Sequence, residues 1–305
     1  MTSMAAENRG SGGPSEGRSL WSDAVRRFRR DKLAMVMLAI VVFYAVVAIG
    51  VMFGWIAADW KESVGGPYQG PSWKNPFGTD FLGQSVLRKT IYGAKISLTV
   101  AFVASLISIS IGVPLGAIAG YCGGIVDEFM VWFYSTLSSI PGLLLILAFA
   151  FVLRDAEVFG YSLRGLPAVY LALGLTSWVY LCRLIRGEVI KHKGRDYVTA
   201  ARAYGASRTR IIINHVLPNV AHLVLIDFSL RFVAFIHAEV ILSFLGLGSK
   251  DEPSWGVMID DARLELSRDA WWQLAAATMA VAIISLALNV VGDAMRDALD
   301  PKLRI

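Results

Sequence analysis

Along this chain the apolar residues do not alternate with polar ones; they come in blocks. Stretches 33–56, 96–121, 129–153, 165–182 and 271–292 contain no Asp, Glu, Lys or Arg. Each is close to or above the roughly 20 residues a helix needs to cross the hydrocarbon core of a bilayer. Soluble strands are shorter, and strands of an outer-membrane barrel alternate with a period of two, which these blocks do not. A sixth block, 217–248, has the length of a span but carries charges. The pattern predicts an all-α membrane protein with six transmembrane helices at those six positions. Between them lie an external segment (57–95), a long loop at 183–216, a second external loop (249–270) and a tail (293–305).

Composition agrees with the blocks. Only 17% of the 305 residues are charged and 55% are hydrophobic, whereas soluble domains carry about 25% charge. Residues 1–20 are polar and rich in Gly and Ser and read as a disordered tail; residues 21–32 form a basic, amphipathic lead-in. The first apolar block is longer than the 7–15 residues of a signal h-region, and no small-residue cleavage site follows it, so a cleaved signal is not expected.

Lys and Arg gather in the N-terminal segment, in the tail, and in 183–216, where Arg183, Arg186, Lys191, Lys193, Arg195, Arg202, Arg208 and Arg210 lie. By the positive-inside rule both termini face the cytoplasm, which for a bacterial chain means a multi-pass protein of the plasma (inner) membrane. The net charge of +5 therefore requires no nucleic-acid partner. Cys122 and Cys182 are too few for a disulfide framework and read as free thiols.

The 183–216 loop is too long to be a plain connection. Its second half predicts a short helix, a turn at Gly205, a second short helix, and then Pro218 early in the fifth span, where a missing N–H costs little. Ala200, Ala201, Ala203 and Ala206 keep one surface small, so another protein can approach closely, and Arg202, Arg208 and Arg210 give it charged edges. A basic anchor resting on anionic lipid headgroups fits the same composition.

Thr199-Ala200-Ala201, three residues, Gly205, nine residues, then His215-Val216-Leu217-Pro218 resembles the EAA loop of ABC importer permeases. Thr199 stands for the usual Glu and His215 for the usual Ile. Three further stretches resemble the dipeptide/oligopeptide/nickel importer permeases. They are Asn75-Pro76-Phe77-Gly78-Thr79-Asp80 with Ile91-Tyr92-Gly93-Ala94-Lys95, then Leu242–Gly248 with Trp255-Gly256, and Asn289 through Pro301.

The resemblance runs from about Trp21 to the end and is to the C-type subunit. It implies a type I ABC importer transmembrane domain over about 93–296, with a cytoplasmic coupling helix. Tyr197, Thr199, Ala200, Ala201, Gly205, Ala206, Arg208, Leu217 and Pro218 would then couple it to an ATPase. It also implies a B-type permease partner in a heterodimer, two ABC ATPase subunits, an external substrate-binding protein and membrane lipid.

No G-x-x-x-x-G-K-[ST] loop occurs, so ATP and Mg are expected on partner subunits, with no cofactor on this chain and no catalysis by it. Short peptides are the expected cargo. Nickel or haem import, or a secondary transporter, are the alternatives, although internal repeats of the kind secondary transporters show are not evident.

Gly112, Gly116 and Gly120 recur every four residues, a spacing that lets membrane helices pack closely. Pro114 and Pro141 are candidate interruptions or hinges. Asp227 and Arg231 share one face of the fifth span, and because charge is costly at the bilayer centre they mark the translocation path or a structural ion pair, with Glu239 nearer the outer end. His215 and His222 share a helical face without a third ligand, so no metal site is expected. The outer acids Asp251, Glu252, Asp260, Asp261 and Glu265 are expected to be solvated, with contact to a substrate-binding protein docking from outside as the alternative. Trp132 and Ser135 stand where relatives often have Arg and Asp, and Ala277 where they often have Pro, which should make the sixth span straighter.

Overall fold

The computed structural model describes residues 20–299, apart from 159 and 250. The polar tail expected at 1–20 and the end of the C-terminal tail lie almost wholly outside those residues. A short helix α1 (Leu20–Arg30) leads into α2 (Lys32–Met52). Asp31 caps α2, its carboxylate accepting from the backbone N–H groups of Leu33 and Ala34 at 2.9 and 3.1 Å. An irregular segment then folds over the start of α3 (Val86–Cys122).

The block at 129–153, expected as one span, is two helices. α4 (Gly124–Ser138) and α5 (Gly142–Arg154) meet at an 88° bend. Pro141 sits at the break, where it can neither donate a backbone hydrogen bond nor fit its ring against the preceding turn. Pro114, by contrast, lies inside α3 without breaking it.

A two-stranded hairpin, β1 (Glu157–Val158) and β2 (Tyr161–Ser162), leads to α6 (Leu166–Lys193), which runs well past the expected end of its span at 182. α7 (Asp196–Ala203) and α8 (Arg208–Ile211) follow, then one wide π-turn (Ile212–Val216) that feeds into α9 (Leu217–Phe244). The chain is thus helical from α8 into α9, and Pro218 does not begin a separate element. The wide turn absorbs the proline, and the Asn219 side-chain amide donates to the His215 carbonyl at 2.6 Å. α10 (Trp255–Glu265) caps the end of the bundle where α3 begins, and α11 (Trp272–Leu299) closes the bundle.

Length and composition qualify α2, α3, α6 and α11 as spans, and the α4–α5 pair as a fifth if it counts as one broken span. α9 is 28 residues long but carries Asp227, Arg231 and Glu239. The six expected spans are therefore not all reached on length and composition.

The core is a seam between α3 and α6. Gly112, Gly116 and Gly120 face α6, and a Cβ added at each would stand 2.9, 2.5 and 2.7 Å from the carbonyl oxygens of Trp178, Cys182 and Arg186. Matching four-residue steps on both helices mean that α3 and α6 run side by side in the same direction. No side chain larger than hydrogen fits at that distance, so the seam depends on the three glycines. On the preceding turns of α3 and α6 a larger cluster takes in Leu173, Ile236, Leu242, Met258 and Ile284 from α6, α9, α10 and α11, all fully buried.

Candidate coupling surface and translocation path

The loop between α6 and α9 is amphipathic in three dimensions. Val198, Ile211 and Val216 are buried and pack with Leu181, Ile185 and Val189 of α6 and Ala117 and Tyr121 of α3. With that inner face fixed, the outer face is left open. Tyr197, Thr199, Ala200, Gly205 and Arg208 are exposed, and Ala201 and Ala206 are partly covered. Gly205 has φ of +79°, a conformation that costs a side-chain-bearing residue about 1–2 kcal/mol, so the turn needs glycine. Leu217 and Pro218 lie at the start of α9 rather than on this open face. Sequence reasoning missed Tyr204, which stands 92% exposed at the tip; its one signal is its place directly before the glycine turn. Tyr197 also contacts His192 Nδ1 at 2.7 Å, tying α7 to the end of α6.

Asp227 and Arg231 bond to each other. The Arg231 guanidinium donates to the Asp227 carboxylate at 2.5 Å, the two side chains being 13% and 4% exposed. A second nitrogen of Arg231 donates to the Ser177 carbonyl on α6, and its guanidinium lies over the Tyr180 ring, 5.4 Å from the centroid. The pair therefore faces α6, and neither charge is left buried without a partner. Arg231 also lines a cavity of about 290 Å³ with Arg183, Ser138, Gly142 and Tyr180. The cavity opens beside the α4–α5 bend, so the helix break and the charged face of α9 meet at one place.

Glu239 is fully buried. Ser97 donates to one carboxylate oxygen at 2.6 Å and Ser243 to the other at 2.7 Å, so both oxygens are satisfied by hydroxyls rather than by a cation. It joins α9 to α3 and does not face the cavity beside the bend.

The outer acids are not uniformly solvated. Glu252 accepts from Tyr92 at 2.5 Å and pairs with Lys95 at 3.3 Å. Glu265 is 2% exposed, accepts from the Phe81 backbone N–H at 3.2 Å, and keeps its second oxygen unpartnered. Burial pushes its carboxyl up to about 7, and burial raises Asp261 as well. Next to them Asp80 and Lys89 form a buried ion pair of 2.7 Å, with Asp80 also accepting from the Leu82 and Gln84 amides. The sequence carried no periodic signal for this network.

Motifs far apart in the chain converge at this end of the bundle. A Cβ at Gly93 would sit 2.8 Å from the Trp255 ring, and one at Gly256 would sit 2.6 Å from the Val240 carbonyl oxygen. The Trp255 indole donates to the Thr90 carbonyl and the Trp272 indole to the Thr79 carbonyl, each at 2.9 Å. Near the other end, Asp127 of α4 and Arg186 of α6 form a two-pronged ion pair at 2.5 and 2.6 Å. Among the described residues no group of three or more His, Cys, Asp or Glu side chains is placed to hold a metal ion. Cys122 is exposed, Cys182 is buried, and both are free.

This architecture is that of an ABC importer transmembrane domain, and the chain belongs to the family described as binding-protein-dependent transport system inner membrane component, matched over residues 112–305. Residues 19–71 match the N-terminal TM domain of oligopeptide transport permease C. Among curated proteins it is 38% identical over 287 residues to the dipeptide transport system permease protein DppC of Bacillus subtilis, covering 94% of this chain and 87% of the relative. It is 37% identical to the oligopeptide transport system permease protein OppC of Haemophilus influenzae, covering 95% and 91%. In fold it is similar to the MetNI methionine ABC transporter in an inward-facing conformation, with a TM-score of 0.52 at 18% identity over 70% of this chain and 97% of that one. The chain is a multi-pass membrane permease of the ABC importer class.

Proposed function

We propose that this chain is the C-type permease subunit of an importer for short peptides, forming half of the path and coupling it to ATP hydrolysis on separate subunits. The similarity to dipeptide and oligopeptide permeases over more than nine-tenths of the chain supports the peptide reading. In this reading α9 is the sixth span, its charges neutralised in pairs or buried under hydroxyls. Both termini and the α7–α8 surface face the cytoplasm, and the outer cap faces the substrate-binding protein. ATP and Mg belong to two ATPase subunits, and a B-type permease completes the path.

The observation that carries the coupling reading is the continuity from α8 through the π-turn into α9. A push on the exposed face of α7–α8 reaches the Asp227–Arg231 pair through one unbroken helical rod. No side chain of this chain is needed as a catalyst; its part is to receive a displacement and reshape the cavity at the α4–α5 bend.

Co-purification of the ATPase subunits with the assembled complex tests this. Gly205→Glu places a carboxylate and a left-handed strain at the turn, and it is expected to abolish ATPase retention while leaving the permease in the membrane. Undiminished retention and peptide uptake in that variant would contradict the coupling role.

A further inference from the structure

Three basic residues of the α6–α8 region come together in one place. Lys193 from the end of α6, Arg202 from α7 and Arg208 from the start of α8 line an open cavity of about 310 Å³ together with Tyr121, Cys122, Ala206 and Ile211. The nearby acids are already engaged. Asp127 is held in the two-pronged pair with Arg186, and Glu188 accepts from Lys191 at 2.6 Å. Among the described residues none of the three cations lies within ion-pair distance of an acid.

Three like charges from three separate elements, converging without a counter-charge, repel one another unless an anion sits between them. A phosphate group suits such a site, because its oxygens accept several charge-assisted hydrogen bonds at once and guanidinium forks match its geometry. The depth of the site narrows the choice. Cys122 is the last residue of α3, and Tyr121 beside it holds the Lys193 ammonium 5.7 Å from its ring centroid. An aromatic ring at the end of an apolar span marks the level of the lipid headgroups.

We propose that this cavity binds a phosphate group, supplied by an anionic phospholipid headgroup, and that the bound phosphate pins α7 and α8 to the ends of α3 and α6. The coupling surface is then held at a fixed height relative to the membrane. The binding site itself needs only the geometry above; its influence on coupling rests on the function proposed for α7–α8.

The assembled complex, purified in detergent, is titrated with phosphatidylglycerol, with phosphatidylcholine and with inorganic phosphate, and retention is read by native mass spectrometry. Wild type is expected to retain phosphatidylglycerol and not phosphatidylcholine. Lys193→Ala with Arg202→Ala is expected to weaken that retention about thirty-fold. Lys193→Arg with Arg202→Lys, which keeps the charge, restores it. Competition by millimolar inorganic phosphate without lipid selectivity would assign the same phosphate chemistry to the free anion. Equal retention in the double-alanine variant, or no retention of either phosphate source by wild type, overturns the proposal. ATPase co-purification separates this test from the previous one, since Gly205→Glu loses the ATPase and keeps the lipid.

Discussion

The outer cap and the α7–α8 segment are built on opposite principles. In the cap, a buried ion pair, two indole hydrogen bonds and glycines pressed against Trp255 and Val240 tie 57–95, α3, α10 and α11 together. In α7–α8, two buried aliphatics, Val198 and Ile211, hold one face down and the other face is exposed alanine, arginine, Tyr204 and the Gly205 turn. One region has spent its polar groups on itself; the other presents them outward. In the function proposed above, a cap that resists deformation would give the span bundle a fixed end, and displacement applied at α7–α8 would be taken up in between, where α5 breaks from α4 and Arg231 lines the cavity.

The sharpest way to break this contrast is at Lys89. Lys89→Met leaves Asp80 buried without its cation, which costs about 3–5 kcal/mol. Thermal unfolding of the membrane-reconstituted chain should show a large loss, and a surface-like loss below about 1 kcal/mol would mean the cap is not rigid.

Next in size is Glu265. Its carboxyl titrates near 7 when folded, against an ordinary 4.5, so the folded state holds a proton that the unfolded state releases. That proton favours folding below about pH 4.5. The contribution is lost progressively as pH rises from there to about 7, a difference of about 3 kcal/mol. The thermal midpoint should fall between pH 5 and pH 8, and Glu265→Gln should remove most of that fall, with Asp261 supplying the remainder. An unchanged slope in Glu265→Gln would place the pH dependence elsewhere.

The smallest stability effect belongs to the inner segment. Gly205→Glu costs about 1–2 kcal/mol of left-handed strain, yet it is the substitution expected to cost the most in function. Stability and coupling thus separate along the length of the molecule.

The sequence showed this division unevenly. Unbroken apolar blocks located α2, α3, α6 and α11 because hydropathy reports exclusion from water directly. The glycine triplet marked a close-packing face of α3, because close backbone approach leaves no room for a side chain, but it did not name α6 as the partner. The Pro141 break was readable as an interruption, but not as an 88° bend, since proline weakens a helix without fixing the angle its neighbours impose. The cap was not legible. Phe81 and Glu265 are 184 residues apart, and a single buried carboxylate in a polar external loop looks like any solvated one. Tyr204 escaped for a related reason: in an alanine-rich segment a lone aromatic reads as core, and only the turn at Gly205 throws it outward.

The central claim is that the exposed face of α7–α8 is where the ATPase seats. A photocrosslinking residue placed at Tyr204 in the complete complex, with a control at the fully exposed Trp73 of the outer segment, tests it most directly. The account predicts an ATPase adduct from position 204 and none from position 73. An ATPase adduct at 73, or its absence at 204 in a complex that still transports peptide, would contradict it.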